Sequence, residues 1–295
     1  MKAGAISRLG MAALVAVASV AATGALALTS GEARSDSADE LLPDLQVGRP
    51  RELYLVKRAH SVRLRLANTI ANRGVGPLEL TSVEEFAQAC QKPGKPEGRT
   101  VWQHIYVDSG HPGSPGYFER GIDQHYDSHP AGCMRFHPQH DHWHFDDFAA
   151  FRLYRERSGK RVGQSRKTSF CLIDTTRVLP RGKNGTPGAP FYVRGAPGGG
   201  LKGPPDGYGE CTADSTDGIS VGWSDTYGAG LPGQAINITG VRGGRFCLVF
   251  EVDPLDRIRE LDEDNNLLAV PIGINVRRGK ARRLEGSCSF AGPYL

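Results

Sequence analysis

Beyond Gly31 this chain has no uncharged apolar run long enough to cross a bilayer, which excludes a helical membrane protein built on its later segments. None of its six cysteines forms a C-x-x-C pair, so neither a zinc knuckle nor a thioredoxin-type motif is present. The H-E-x-x-H signature of helical zinc hydrolases is missing too, although other zinc geometries exist. Charge of one sign is scarce. The formal balance is +4, and it shrinks if Lys2 and Arg8 leave with a leader, too little for a nucleic-acid binder. No stretch reads as a long amphipathic helix.

What is there begins with a leader. Lys2 and Arg8 are followed by an uncharged segment from Gly10 to Gly31 that passes through the small-residue run Ala25-Leu26-Ala27, the pattern of a secretory signal peptide over 1–27. Its Ala, Gly, Ser and Thr content makes it a weak membrane helix, so membrane association is expected only if the leader stays uncleaved. A secreted, extracellular protein is the expectation. An even number of cysteines in such a compartment implies disulfides, and sequential pairing (Cys90–Cys133, Cys171–Cys211, Cys247–Cys288) closes loops of moderate length within one part of the chain.

Strand patterns dominate the rest. Val62-Arg63-Leu64-Arg65-Leu66 alternates apolar and basic residues, and 71–77 turns the chain before Leu78-Glu79-Leu80. Further strands are expected at 101–107, 148–154, 168–173, 234–238 and 246–252. With 38 glycines and 19 prolines punctuating short segments, the fold class is all-β, an antiparallel β-sandwich with long Gly/Pro-rich loops and few short helices. The stretch from Pro180 to Gly209 is dominated by Gly and Pro, and is either a functional loop or a solvated insertion.

Four of the nine histidines, His137, His140, His142 and His144, fall in R-F-H-P-Q-H-D-H-W-H-F-D-D-F. On an extended strand, side chains two apart share a face, so His140, His142 and His144 converge as a metal site for Cu(II), Zn(II) or Ni(II). An exposed His-rich strand whose imidazoles bond only water is the alternative. A second oxygen-rich segment, Glu260-Leu261-Asp262-Glu263-Asp264-Asn265-Asn266, offers Glu260, Asp262, Asn265 and Asn266 to a hard cation such as Ca²⁺, or is simply an acidic turn.

The histidine run, then Gly163 to Thr175 with K-T-S-F-C-L-I-D-T, then Trp223-Ser224-Asp225-Thr226-Tyr227-Gly228-Ala229, then Val252-Asp253-Pro254 leading to the 260–266 segment, resemble in order and separation the catalytic domain of lysyl oxidases. The resemblance runs from about His137 to Ile274, with a weaker echo at Leu42-Pro43-Asp44-Leu45, and suggests a bacterial lysyl oxidase-like copper amine oxidase. It implies copper on His140, His142 and His144 and a lysine tyrosylquinone cofactor made from Lys167 and Tyr227. It also adds Asp44 and the Leu45 carbonyl to the calcium set. The implied reaction converts a primary amine, peptidyl lysine included, to an aldehyde with dioxygen, releasing hydrogen peroxide and ammonia. Asp146, Asp147 and His137 are candidate bases, unranked. The implied organisation is a signal peptide at 1–27, a linker at 28–41, a catalytic domain at 42–276 and a basic tail at 277–295.

The chain departs from the family pattern in three places. Gln139 stands where the family has a cysteine, the run after His144 is one residue shorter than in the animal enzymes, and fewer cysteines flank Lys167 and Tyr227, so disulfide pairing does not transfer. Two other readings compete: a non-catalytic extracellular metal-binding β-sandwich module, and a zinc hydrolase.

Overall fold

In the computed structural model the described residues are 39–83, 88–113, 115–179, 190–193 and 208–288. The leader, most of the expected linker and most of the Pro180 to Gly209 stretch lie outside them. Among the described residues seventeen strands, β1 to β17 in chain order, form three sheets, and every pairing between them is antiparallel. One sheet runs β12 (Thr216–Ile219), β5 (Leu78–Val83), β6 (Gly98–Val107), β7 (Tyr126–His137), β8 (His142–Phe145), with β1 (Glu40–Leu41) on β6. A second runs β10 (Arg161–Gln164), β9 (Ala149–Arg155), β15 (Gly244–Val252), β16 (Leu267–Asn275), β17 (Lys280–Arg283). The third is built on the long β4 (Ser61–Asn72). It carries β13 (Trp223–Tyr227) and β14 (Ala235–Asn237), with β11 (Thr176–Arg177) beyond β13, and β2 (Leu45–Val47) and β3 (Arg51–Arg58) also pair with β4. The fold is therefore all-β, and the described helices are two short 3₁₀ turns.

Residue patterns explain the layering. Along β4, Leu64 and Leu66 are buried while Arg63 is exposed, the two-residue period of a strand with one face on the core. Strand β15 is buried on both faces between β9 and β16. Phe246, Leu248 and Phe250 join the main core, whereas Cys247 and Val249 pack on the opposite side with Tyr154 and Cys288. All three sheets contribute to the main core, from Leu64 of β4 to Phe145 of β8 and Ile272 of β16.

Two segments differ from expectation. The basic segment from Arg277 is not a free tail over its described part, because Lys280–Arg283 pairs with β16 and Cys288 is bonded to Cys247. Residues 168–173 are not a strand, apart from one bridge between Phe145 and Phe170. A side chain takes the place of a ladder there: the Tyr227 hydroxyl accepts from Cys171 N at 3.0 Å and donates to Cys171 O at 2.8 Å. All three disulfides are sequential, Cys90–Cys133, Cys171–Cys211 and Cys247–Cys288.

A buried carboxylate ties the loops to the first sheet. Glu79 accepts hydrogen bonds from Tyr106 (2.6 Å), Tyr192 (2.5 Å) and Arg120 (3.1 Å) and lies 3.0 Å from His104 Nδ1. Arg120 in turn lies 3.5 Å over the Phe191 ring. Burial alone would raise the Glu79 pKa, but its hydrogen bonds and the Arg120 charge outweigh that and hold it at about 2, against 4.5 for a free side chain. A group whose folded pKa is depressed contributes stability above the unfolded value and loses it as pH falls toward the folded one. Glu79 should therefore contribute ~3 kcal/mol at neutral pH that disappears between pH 4.5 and 2. Urea titrations over that range should show E79Q losing stability less steeply with acidification than wild type; parallel curves would exclude this role.

Candidate functional site

The histidine run is a hairpin end, not one strand. His137 closes β7 and His142 opens β8 directly opposite it, while Asp141, at φ 57°, lets the intervening loop reverse. His144 lies two residues along β8 from His142 and shares its face, and His140 folds back from the loop. Nitrogen atoms of His137, His140 and His144 all lie within 4.8 Å of one another. His142 Nε2 is 2.9 Å, and His140 Nδ1 3.3 Å, from His144 Nε2. Nitrogens bound to one ion at about 2.0–2.1 Å lie roughly 3 Å apart, so these separations suit a shared metal. His142 Nδ1 is 2.7 Å from the His140 carbonyl oxygen, which fixes that nitrogen as the donor and leaves Nε2 its lone pair. His140 Nε2 and His137 Nδ1 are buried without hydrogen-bond partners.

Their environment keeps the His137, His140 and His144 imidazoles neutral, as metal ligation requires. Burial and the nearby Lys167 charge lower His144 to about 2 and His140 to about 4, and lower His137 as well.

Lys167 leaves β10 through a turn in which its N–H donates to Ser165 Oγ. Its side chain is buried, with Nζ unpartnered 4.3 Å from the Tyr227 ring centre and 5.0 Å from that of Phe170. Gly233, at φ 80°, packs against it; a Cβ there would sit 3.0 Å from Lys167 Cβ and Cδ, so a side chain at 233 would crowd the lysine. Burial lowers the Lys167 pKa to about 8, opposed by the Asp225 charge, so about a tenth of this amine is unprotonated at pH 7, far more than for a free lysine.

Asp225 is the residue sequence reasoning missed. It lies two positions before Tyr227 on β13, hence on the same face, and is buried with Oδ1 lacking a partner. Strand parity in W-S-D-T-Y could have found it. Burial raises its pKa well above the free value, opposed by the Lys167 charge. The expected bases are differently placed. Asp146 is engaged by Arg135 at 2.7 Å and Lys92 at 3.4 Å, and Asp147 by Lys92 at 3.4 Å and Thr168 Oγ1 at 3.3 Å.

The oxygen-rich residues also come together, over a sequence separation of more than 200. Leu45 N donates to Glu260 Oε2 at 2.5 Å, Asn265 Nδ2 to Asp44 Oδ1 at 2.8 Å and Asn266 Nδ2 to Glu260 Oε1 at 3.0 Å. The amide oxygens of Asn265 and Asn266 are buried without partners. Asp262 instead caps the 3₁₀ turn, accepting from Asp264 N. Gly76 permits this approach of the N-terminal segment, since a Cβ there would lie 1.7 Å from Leu41 O.

With the geometry established, comparison with known proteins points to one family. The lysyl oxidase family model matches residues 205–281, which take in Tyr227 and the 260–266 segment. Human protein-lysine 6-oxidase is 30% identical over 154 residues, 52% of this chain and 31% of that protein; the pig protein has the same identity over 52% of its length. Human lysyl oxidase homolog 1 is 31% identical over 140 residues, 47% of this chain and 20% of that protein. These similarities support a relationship to the lysyl oxidase family. The match spans under a third of the human protein-lysine 6-oxidase and about half of the pig one. For a lysyl oxidase relative, the lysine and tyrosine that the resemblance singled out lie close together, and the histidine cluster is compact.

Proposed function

We propose that this chain is a secreted copper-dependent amine oxidase whose organic cofactor, lysine tyrosylquinone, is built from Lys167 and Tyr227. The observation that carries the reading is the buried, unpartnered Lys167 Nζ, 4.3 Å from the Tyr227 ring centre. A lysine so placed in a structural module would cost desolvation without return. His140, His142 and His144 would hold the copper, with His137 beside them. Copper and quinone together would supply the two-electron oxidation of a primary amine by dioxygen, with water consumed, giving an aldehyde, ammonia and hydrogen peroxide.

The protein's part is positional. Burial makes the Lys167 amine available as a nucleophile, and the Cys171 backbone clamps the Tyr227 oxygen from both sides. Asp225 provides a carboxylate in the same enclosure, suited to holding a proton or an ammonium. Relatives named protein-lysine 6-oxidase and the three disulfides support a primary amine substrate and an extracellular location. Mass spectrometry of the copper-loaded, aerated mature protein should yield one crosslinked peptide pair joining Lys167 to Tyr227. Recovery of both tryptic peptides unlinked would refute the reading.

Calcium is the second proposed ligand, on Asp44, the Leu45 carbonyl, Glu260, Asp262, Asn265 and Asn266. Support comes from the two orphaned amide oxygens beside two carboxylates, hard donors of the type this cation takes. Burial raises Glu260 to about 9, with the Glu263 charge adding to the effect, so an ionised Glu260 wants a compensating cation. Calcium at 100 times its Kd should stabilise the fold by about 2.7 kcal/mol, and D44A/N266A should abolish the response. Equal calcium shifts in variant and wild type would remove the site.

A further inference from the structure

Two cavities meet at the candidate site, and Lys167, His140 and Pro232 belong to the lining of both. The larger, about 560 Å³, is lined by Lys92, Lys95, Arg135 and Arg166 on its charged side, against Asp146 and Asp147. Both acids are already engaged: Arg135 holds Asp146, and Lys92 bridges Asp146 and Asp147. Lys95 and Arg166 are exposed and have no ion pair among the described residues. This mouth is cationic.

The smaller cavity, about 340 Å³, lies on the Tyr227 side. Ile173, Leu231 and Pro232 give it an apolar wall, and Asp225 is its one carboxylate. Leu231 is 44% exposed at its rim. Its loop is held by Arg65, which donates to Ala229 O at 2.5 Å and Leu231 O at 2.7 Å, and by Glu52, which accepts from Ala229 N at 3.0 Å.

We infer, building on the amine-oxidase reading, that the amine enters through this apolar mouth past Leu231 and not through the cationic one. The substrate class is then a primary amine on an apolar stem with no second positive charge near it. A protonated amine is repelled by Lys95 and Arg166, whereas the apolar wall gains from each methylene it covers and the Asp225 carboxyl offers the amine end a hydrogen-bond partner. A second ammonium at the far end of the stem would have to lie against Leu231 and lose water there. A lysine set among basic neighbours would be disfavoured for the same reason.

The test uses the full copper-loaded protein with alkylamines of three to six carbons and with 1,6-diaminohexane. Each added methylene should raise kcat/KM about threefold, and hexylamine should exceed the diamine by at least about tenfold. The L231D variant, altered at an exposed rim position, should close most of that gap. Equal kcat/KM for monoamine and diamine would overturn the inference, as would a gap that K95E/R166E closes and L231D does not. Calorimetric binding of hexylamine to the same protein separates the two readings. If hexylamine binds and L231D weakens it but no amine is oxidised, the catalytic reading fails and the mouth assignment stands. If hexylamine neither binds nor reacts, the mouth assignment fails.

Discussion

Replacing Tyr227 with Phe, or Lys167 with Ala, should abolish amine oxidation by a factor of about 10³ or more while leaving the histidine-bound copper in place. In the proposed cofactor the two residues would have different jobs: Tyr227 would provide the ring oxygen and Lys167 the crosslinking nitrogen. The packing allows each change to be read cleanly. Lys167 Nζ has no hydrogen-bond partner to strand, so the cost of K167A is that of emptying the buried stem, about 2 kcal/mol. Y227F removes the hydroxyl that serves Cys171 N and O, leaving two backbone groups in search of partners and costing about 1–3 kcal/mol. Hydrazine labelling, copper content and melting temperature measured on the same samples give the check. Wild-type turnover by both variants at matched copper would be falsifying.

Breaking the Cys171–Cys211 disulfide should have the next largest effect and should reach the site as well as the fold. Its sequence separation is 40, and closing a loop of that length in the unfolded chain corresponds to ~4 kcal/mol on the chain-entropy view. For a protein of this size that is a fall in Tm of roughly 8–16 °C. The bond also has a local consequence. Cys171 holds the Tyr227 hydroxyl through its backbone, and Cys211 O accepts from Trp143 N at 2.7 Å, between His142 and His144. The C171A/C211A double variant should therefore lose both stability and crosslink yield. The C247A/C288A variant, whose bond lies on the outer face of β15, should lose stability alone. Equal crosslink yields in the two double variants would show that the first bond does not position the tyrosine.

Some of this was legible in the sequence, and the failures have physical causes. Alternation marked β4 and β15 because each buries a regular subset of side chains, and sequential cysteines paired because antiparallel neighbours bring nearby segments together. The four histidines were visible, yet their arrangement was not. A two-residue period applied across 140–144 misses a reversal at Asp141, and the hairpin it creates adds His137 to the cluster. Residues 168–173 look like a strand but have their backbone at Cys171 satisfied by a tyrosine more than fifty positions away. Asp225 was overlooked because its importance depends on burial beside Lys167, a tertiary fact.

The link between Leu45 and Glu260 also bears on how the molecule comes into being. The two residues are separated by 215 positions, so the second strand of the fold cannot be pinned until nearly the whole chain is available. A chain threaded out N-terminus first would present β2, β3 and β4 while the segment that clasps Leu45 is still inside. Such long-range pairing places folding in the slow, milliseconds-to-seconds regime of β proteins. The waiting edge of β4, with its buried Leu64 and Leu66, is then the surface that most needs protection from other chains while the rest of the chain is made.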